Sequence, residues 1–594
     1  MALSVLFFGL TVIAPDLARP DVLKIDKNAT GDGWDSNEPA LSPATIANGS
    51  FGQTFSTPVA GQVYAQPLVV GSTVIVTTQH DMVYGINSVS GAIQWTQTVG
   101  TAEPSDSIFA GYTNISPEIG VLSTPVVDLA TNTVYVEART WDGADPGSAE
   151  YLVHALDVTT GSERSGWPVT IAGSAANDPT STFDPVVQDQ RTGLLLLNGW
   201  IYAAYASFGD VGAYKGWISG VSTSTGAVNL WTDEQGSSLH GGIWQVGGGL
   251  MSDGGTRVFA VSGNGPPPPP GPASTATTTL GQSVMHLDQQ PDGTLALADY
   301  FAPYNAADLN VTDKDLSSSA VALPDAMGVP GHPHLLVTAG KEGVVYLLDR
   351  DALGGEAQGA GGTDASVAQN AGGGGVFSHA AVWPGNGGYF YLSDNGSLRA
   401  WQISNNAGTT SIQRVASGGC CFGSMSPSVT SNGTTPGSAL VWTIAKTPST
   451  GQAELQAYAA VPVGNTLPLL FHGPVGLGTK FSVPTTDNGR VFVGSLDGHL
   501  VGFGPIPRWS VVVPPRRGTS NVLNGVSVVA ANNAWAVGSY TDASNKTWPL
   551  TEHWTGTAWS IVVPPTRGIG GVLHAVSTLA ANDVWAVGSY TDAS

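Results

Sequence analysis

Short apolar runs alternate along the chain with turns bearing Gly, Asp or Asn, and the runs come in pairs. An apolar strand, a tight turn and a second apolar strand form the pattern of a β-hairpin buried on both faces. The pattern occurs eight times, at 67–77, 125–137, 195–206, 249–263, 321–338, 381–393, 427–444 and 484–493. Several units run on into an outer hairpin, as where Ser90-Gly91 leads into Ile93-Gln-Trp95, so four strands per unit are predicted. Such units arranged about an axis leave few open sheet edges. The expected fold is therefore all-β, an eight-bladed β-propeller over 51–504. Residues 51–59 precede the first full unit and the last unit is one strand short, so the two ends are expected to share a blade.

A different repeat begins at Pro505. Trp509-Ser-Val-Val-Val-Pro-Pro515 returns as Trp559-Ser-Ile-Val-Val-Pro-Pro565, and the ten residues from Trp535 return unchanged from Trp585. The period of 50 residues is kelch-like in length. Two such repeats fall short of the roughly four blades that close a ring, so 505–594 is expected to be an incomplete, truncated second propeller segment of kelch-like repeats.

Composition supports many short strands and tight turns, with 78 glycines, 39 prolines and only 11% charged residues among 594. The net charge of −23, without any run of Lys or Arg, argues against a nucleic-acid partner, because binding a phosphate backbone requires neutralising it. The two cysteines, Cys420 and Cys421, are adjacent and give neither a disulfide framework nor a zinc spacing. The apolar stretch 2–14, ended by Pro15, reads as the core of an export signal over 1–24, although it lacks the usual preceding basic residues. A membrane-crossing helix needs about 20 apolar residues, so no transmembrane anchor is expected. The location expected is extracytoplasmic or secreted, with 25–50 as a lead-in segment to the propeller.

Three segments carry a resemblance to a known family: Tyr64-Ala-Gln-Pro-Leu-Val-Val70, Val83-Tyr-Gly-Ile-Asn-Ser-Val-Ser-Gly91 with Trp95, and Gly340-Lys-Glu-Gly-Val-Val-Tyr-Leu-Leu-Asp-Arg350. With them, 51–504 resembles the quinoprotein alcohol dehydrogenase-like superfamily of pyrroloquinoline quinone (PQQ) repeat propellers. In its catalytic members PQQ and Ca²⁺ sit in a funnel at one end of the axis, and an Asp removes the alcohol proton. The resemblance gives Lys341 the place of a cation at the quinone oxygens, and Asn264 and Asp210 the places of calcium ligands. Each has an alternative reading as an ordinary turn residue.

The departures weigh more. The family's base position is taken by Gln282, whose amide cannot accept a proton at neutral pH. Asp299, Asp308 and Asp315 lie downstream, but nothing in the sequence places them near the axis. Leu250-Met-Ser252 follows Gly247-Gly-Gly249 where a stacking Trp is expected, and Trp244, before the glycines, is assigned to a blade core. The region 114–120 lacks the family's vicinal cysteines. His332 and His334 form a weak metal pattern, and no nucleophile elbow or phosphate loop is found. The expected function is thus a non-catalytic binding or scaffold module for an unknown protein or glycan, with no catalytic residue. The alternative is a PQQ- and calcium-dependent alcohol or sugar dehydrogenase whose base has moved.

Overall fold

The structure, a computed structural model, describes residues 21–593 except 110, 317, 395, 421–423, 507–511, 531 and 581–582. The core of the expected export signal and Cys421 lie outside the described residues. Two compact units divide after Ile506.

In the first unit, eight sheets of four or five strands follow one another along the chain. Sheet one is Leu68–Val70, Thr73–Thr78, Met82–Asn87 and Ile93–Thr98, each strand antiparallel to the next. All eight hairpin units of the sequence fall on the inner strands of these sheets. Sheet four departs from the pattern. Its inner strand is reduced to a bridge between Met251 and Phe259, and its outer edge takes Gly355–Glu356 in parallel from the connection between the third and fourth strands of sheet five. Sheet eight, Thr485–Asp487, Arg490–Gly494 and His499–Pro505, is completed on the outside by Phe51–Pro58.

The side-chain period of two explains how the sheets close into a ring. Leu335, Val337 and Ala339 pack toward sheet six, while Leu336, between them, packs toward sheet four. The same alternation gives every consecutive pair of sheets a shared apolar layer. The last layer closes the circle, since Phe492 and Leu500 of sheet eight lie in one cluster with Val74, Val76 and Val83 of sheet one. Phe51 fixes the outer edge, with its ring 5.0 Å from Phe471 and 5.5 Å from Trp442. A propeller results, its blades buried on both faces.

A segment ahead of the ring ties the blades together from inside. Val22 exchanges two backbone hydrogen bonds with Val69 of sheet one, and Leu23 accepts one from Val127 of sheet two. Ala29, Thr30, Asp32 and Gly33 then accept from Ser252, Ala322, Val382 and Val429 of sheets four to seven. Asp35 accepts from the Thr486 hydroxyl of sheet eight at 3.3 Å. Ile25 packs over Gly193 and Gly249, where an added Cβ would come within 2.6 and 2.5 Å of it. Residues 22–35 are thus a strap along the inner strands, and the boundary of the expected signal at 24 falls inside it, because Lys24 is buried and donates to the Leu250 carbonyl at 3.2 Å.

In the second unit Ser520–Ala530, Asn533–Thr541, Thr547–Trp554 and Trp559–Ile561 form one antiparallel sheet. The repeat recurs as the hairpin Gly570–Ala580 with Asp583–Thr591. Among the described residues no helix is long and apolar enough to cross a membrane.

Candidate functional site

The inner strands of a propeller run in one direction, so the starts of inner strands and the ends of the second strands meet at one mouth of the axis. Asp210 follows the second strand of sheet three, Asn264 that of sheet four and Lys341 that of sheet five. The strands therefore deliver to one mouth three residues far apart in sequence.

At this mouth the Lys341 ammonium lies 2.8 Å from Asp313 Oδ1 and 2.8 Å from Asp315 Oδ2. The Asn264 amide donates to Asp313 Oδ1 at 2.8 Å and accepts from Gln282 Nε2 at 2.9 Å. Gln282 Oε1 accepts from the Leu316 N–H at 2.7 Å, which pins the loop carrying both carboxylates. Asp210 accepts from Tyr214 Oη at 2.6 Å, and the Tyr214 ring stacks on His240. Gln282, Asp313 and Asp210 all hold positive φ, a strained backbone of the kind that clusters at functional sites.

Charge is distributed unevenly here. Burial raises the Asp315 carboxyl above its usual range, against the pull of Lys341, and Asp210 and Asp313 raise it further. Burial also favours the neutral Lys341 amine, but Asp315 and Asp313 outweigh it and leave the ammonium stabilised. Asp313 is 69% exposed at its side chain and is held below its usual range by Lys341 and Asn264, which outweigh its partial desolvation.

Two expectations are corrected. Gln282 does occupy the position read as the base, yet the mouth has not lost its carboxylates, because the loop after the short helix Ala306–Val311 brings in Asp313 and Asp315. Asp299 is elsewhere, accepting from Leu353 N–H at 2.7 Å. Trp244 is not part of a blade core. Its ring faces the Arg191 guanidinium at 4.9 Å, and Arg191 lies 4.7 Å from the Phe481 ring as well. The sequence reading missed Arg191, which stands just before the inner strand of sheet three.

Around Arg191 the funnel is narrow. Tyr64, Leu122, Thr124, Gly247, Phe481 and the strap's Ile25 line it with Arg191, leaving a cavity of about 10 Å³. That is room for about one water, whereas sites for drug-sized ligands are roughly 300–1,000 Å³. The indole face that a flat quinone would stack on is covered by a guanidinium. Asn264 Oδ1 and Asp210 Oδ1 already accept from Gln282 and Tyr214, and among the described residues no three His, Cys, Asp or Glu side chains are grouped to hold a metal. The residues as arranged do not fit PQQ with Ca²⁺.

One glycine is critical to this loop. A Cβ on Gly281 would lie 2.4 Å from the backbone carbonyl carbon and oxygen of Gly265, which no side-chain rotation relieves. Gly281→Ala is expected to displace the Asn264 loop and to cost about 1–3 kcal/mol, the range for overpacking a buried site. Urea unfolding reads the stability, and a crystal structure of the variant reads the Asn264–Asp313 distance. An unshifted loop would contradict the assignment.

No family model and no curated protein matches the chain. Solved structures do. The quinohemoprotein alcohol dehydrogenase of Comamonas testosteroni superposes with a TM-score of 0.51 at 14% identity, covering 84% of this chain and 83% of its own. The quinohemoprotein alcohol dehydrogenase ADHIIG of Pseudomonas putida HK5 gives 0.56 at 12%, with coverage of 84% and 83%. A europium-containing methanol dehydrogenase gives 0.52 at 14%, over 82% of this chain and 98% of that one. The first unit has the propeller fold of the quinoprotein alcohol dehydrogenases.

Proposed function

We propose that this protein is an exported propeller that binds a polar ligand at the funnel mouth without redox chemistry, its partner a glycan, a protein or a small molecule carrying such groups. The observation that carries this reading is Arg191, which occupies the stacking face of Trp244 and fills the axial space where a quinone would lie. Polar groups without partners beside it supply the capacity to bind. Asp315 Oδ1 and Trp244 Nε1 are both buried and unpaired, and a buried polar group left unpaired costs about 1–3 kcal/mol until something satisfies it.

A second reading, a PQQ- and calcium-dependent alcohol or sugar dehydrogenase, is favoured by one observation: carboxylates do stand beside Lys341 and Asn264. Reconstitution with PQQ and Ca²⁺, followed by dye reduction across simple alcohols and sugars, separates the two. No turnover above the apoprotein is expected. Turnover that disappears in Asp313→Asn would establish the dehydrogenase instead.

A further inference from the structure

The second unit contains its own control. The ten residues from Trp535 return unchanged from Trp585, yet Val537 is 1% exposed and Val587 62%. What differs is the covering of each copy. Residues directly opposite on paired strands share a face of the sheet, and neighbours along a strand alternate between faces. The register therefore sets Gly525 with Val537 and Ser527 with Trp535 on one face of the first repeat, and Val526 with Ala536 and Val528 with Ala534 on the other. The second repeat keeps this register, with Ala575 and Val587, Ser577 and Trp585 on one face, and Val576 and Ala586, Thr578 and Val584 on the other. Each repeat thus carries the same two unlike faces.

Within the chain the two kinds of face meet once. Strand Gly570–Ala580 packs across Ser520–Ala530, Asn533–Thr541 and Thr547–Trp554. The Gly525–Ser527 face of the first repeat meets the Val576–Thr578 face of the second: the Thr578 N–H donates to Ser527 Oγ at 3.2 Å, the two hydroxyls are 2.7 Å apart, and a Cβ on Gly525 would lie 3.4 Å from the Val576 nitrogen. Asn524 Nδ2 adds a bond to the Leu573 carbonyl at 2.8 Å. The remaining face of each repeat is open. Trp585 is 71% exposed on the second repeat beside Val587, and Val526 and Val528 are 64% and 65% exposed on the first. Apolar groups exposed together in this way mark an interaction surface. Val526 and Val528 are the counterparts, 50 residues earlier, of Val576 and Thr578, and Trp585 and Val587 are those of Trp535 and Val537.

We propose that copies of this chain join head to tail through their second units, the Trp585–Val587 face of one copy taking the Val526–Val528 face of the next. The contact between copies repeats the one already made within each chain. In it Ser577 stands where Ser527 stands inside the chain, and the Val528 N–H of the next copy takes the place of the Thr578 N–H on the serine hydroxyl. Val528 gives up the hydroxyl contact of Thr578 and supplies a methyl in its place. Ala575 replaces Gly525, whose added Cβ would lie 3.3 Å from the facing Cα, so the strands between copies stand a few tenths of an ångström further apart. Because the two faces differ, the contact is heterologous, and each joined pair again presents one open face of each kind. Addition continues until the blades close on themselves, which takes about four or more.

Sedimentation velocity of the full chain between about 1 and 50 µM tests this. Species of two or more chains should appear and grow with concentration. Val526→Asp spoils one face and Val587→Asp the other, and since both side chains are exposed, neither substitution should lower the melting temperature. Each variant alone should associate at least ten-fold more weakly than the parent chain. Mixed in equal amounts, the two should form a dimer and nothing larger, because the mixture keeps one sound face of each kind. A parent chain that stays a single chain at 50 µM overturns the proposal. So does a Val526→Asp variant that associates as the parent does, the result expected if two copies instead paired two-fold along the open edge of Asp583–Thr591. A mixture of the two variants that forms no dimer overturns it as well.

Discussion

Deleting residues 21–35 is expected to abolish cooperative folding of the propeller, even though of the described blade strands it removes only the two-residue Trp34–Asp35, paired to the inner strand of sheet seven. The strap contributes the seven backbone hydrogen bonds described between Val22–Gly33 and sheets one, two and four to seven, each worth about 0.5–1.5 kcal/mol. Val22 and Ile25 are fully buried, adding about 1.5–3 kcal/mol apiece. The deletion would also strip Asp26 from the buried His379, 2.9 Å away. The total is on the order of 10 kcal/mol, comparable with the about 5–15 kcal/mol by which a domain is stable at all. Differential scanning calorimetry should show no sharp transition, or one lowered by more than about 10 °C. A milder probe is Gly33→Ala, at φ +61 and with its Cβ 3.2 Å from that of Ala381, expected to cost about 1–2 kcal/mol. An unchanged melting temperature in the deletion would show that the ring holds without its strap.

The strap also lines the funnel, where Ile25 stands with Tyr64, Phe481 and Arg191.

The blades were legible because a strand buried on both faces leaves an unbroken apolar run bounded by turns, as in Leu335–Ala339 and Val345–Asp349. Lys341, Asn264 and Asp210 were singled out through the family resemblance, and each sits in a turn after such a strand. Asp313 and Asp315 could not be placed at the mouth from sequence. They follow a helix of six residues, and the loop is drawn to the mouth by Gln282 and Lys341, partners at separations of 34 and 28 residues. Gln282 was read for what it cannot do as a base. Its role is to bridge Asn264 and Leu316, a use of an amide that only the fold reveals. Trp244 read as core and Arg191 was not singled out at all, because a cation over a ring is a tertiary contact without a sequence period. The usable signal is positional: residues just before each inner strand face the axis, and a charged one among them is conspicuous.

Glu103→Ala is expected to destabilise the protein by about 3–5 kcal/mol, far more than its loss of contact area suggests. Glu103 and Arg139 are each 1% exposed and 2.6 Å apart, so truncating the acid leaves a guanidinium buried without its counter-charge, which costs that amount. The ring faces of Tyr151 and Phe208, at 5.5 and 5.0 Å, offset little of it. Replacing both partners by apolar residues of similar volume, as in Glu103→Leu with Arg139→Met, removes the charge altogether and should recover most of the loss. Arg139 holds the Pro185 and Val186 carbonyls, from which the chain leads into Asp189 and Arg191, so without it the guanidinium over Trp244 loses its fixed approach. Urea midpoints for the two single variants and the double separate the effects. If the double variant is as unstable as Glu103→Ala alone, the cost lies in lost packing and not in an uncompensated charge.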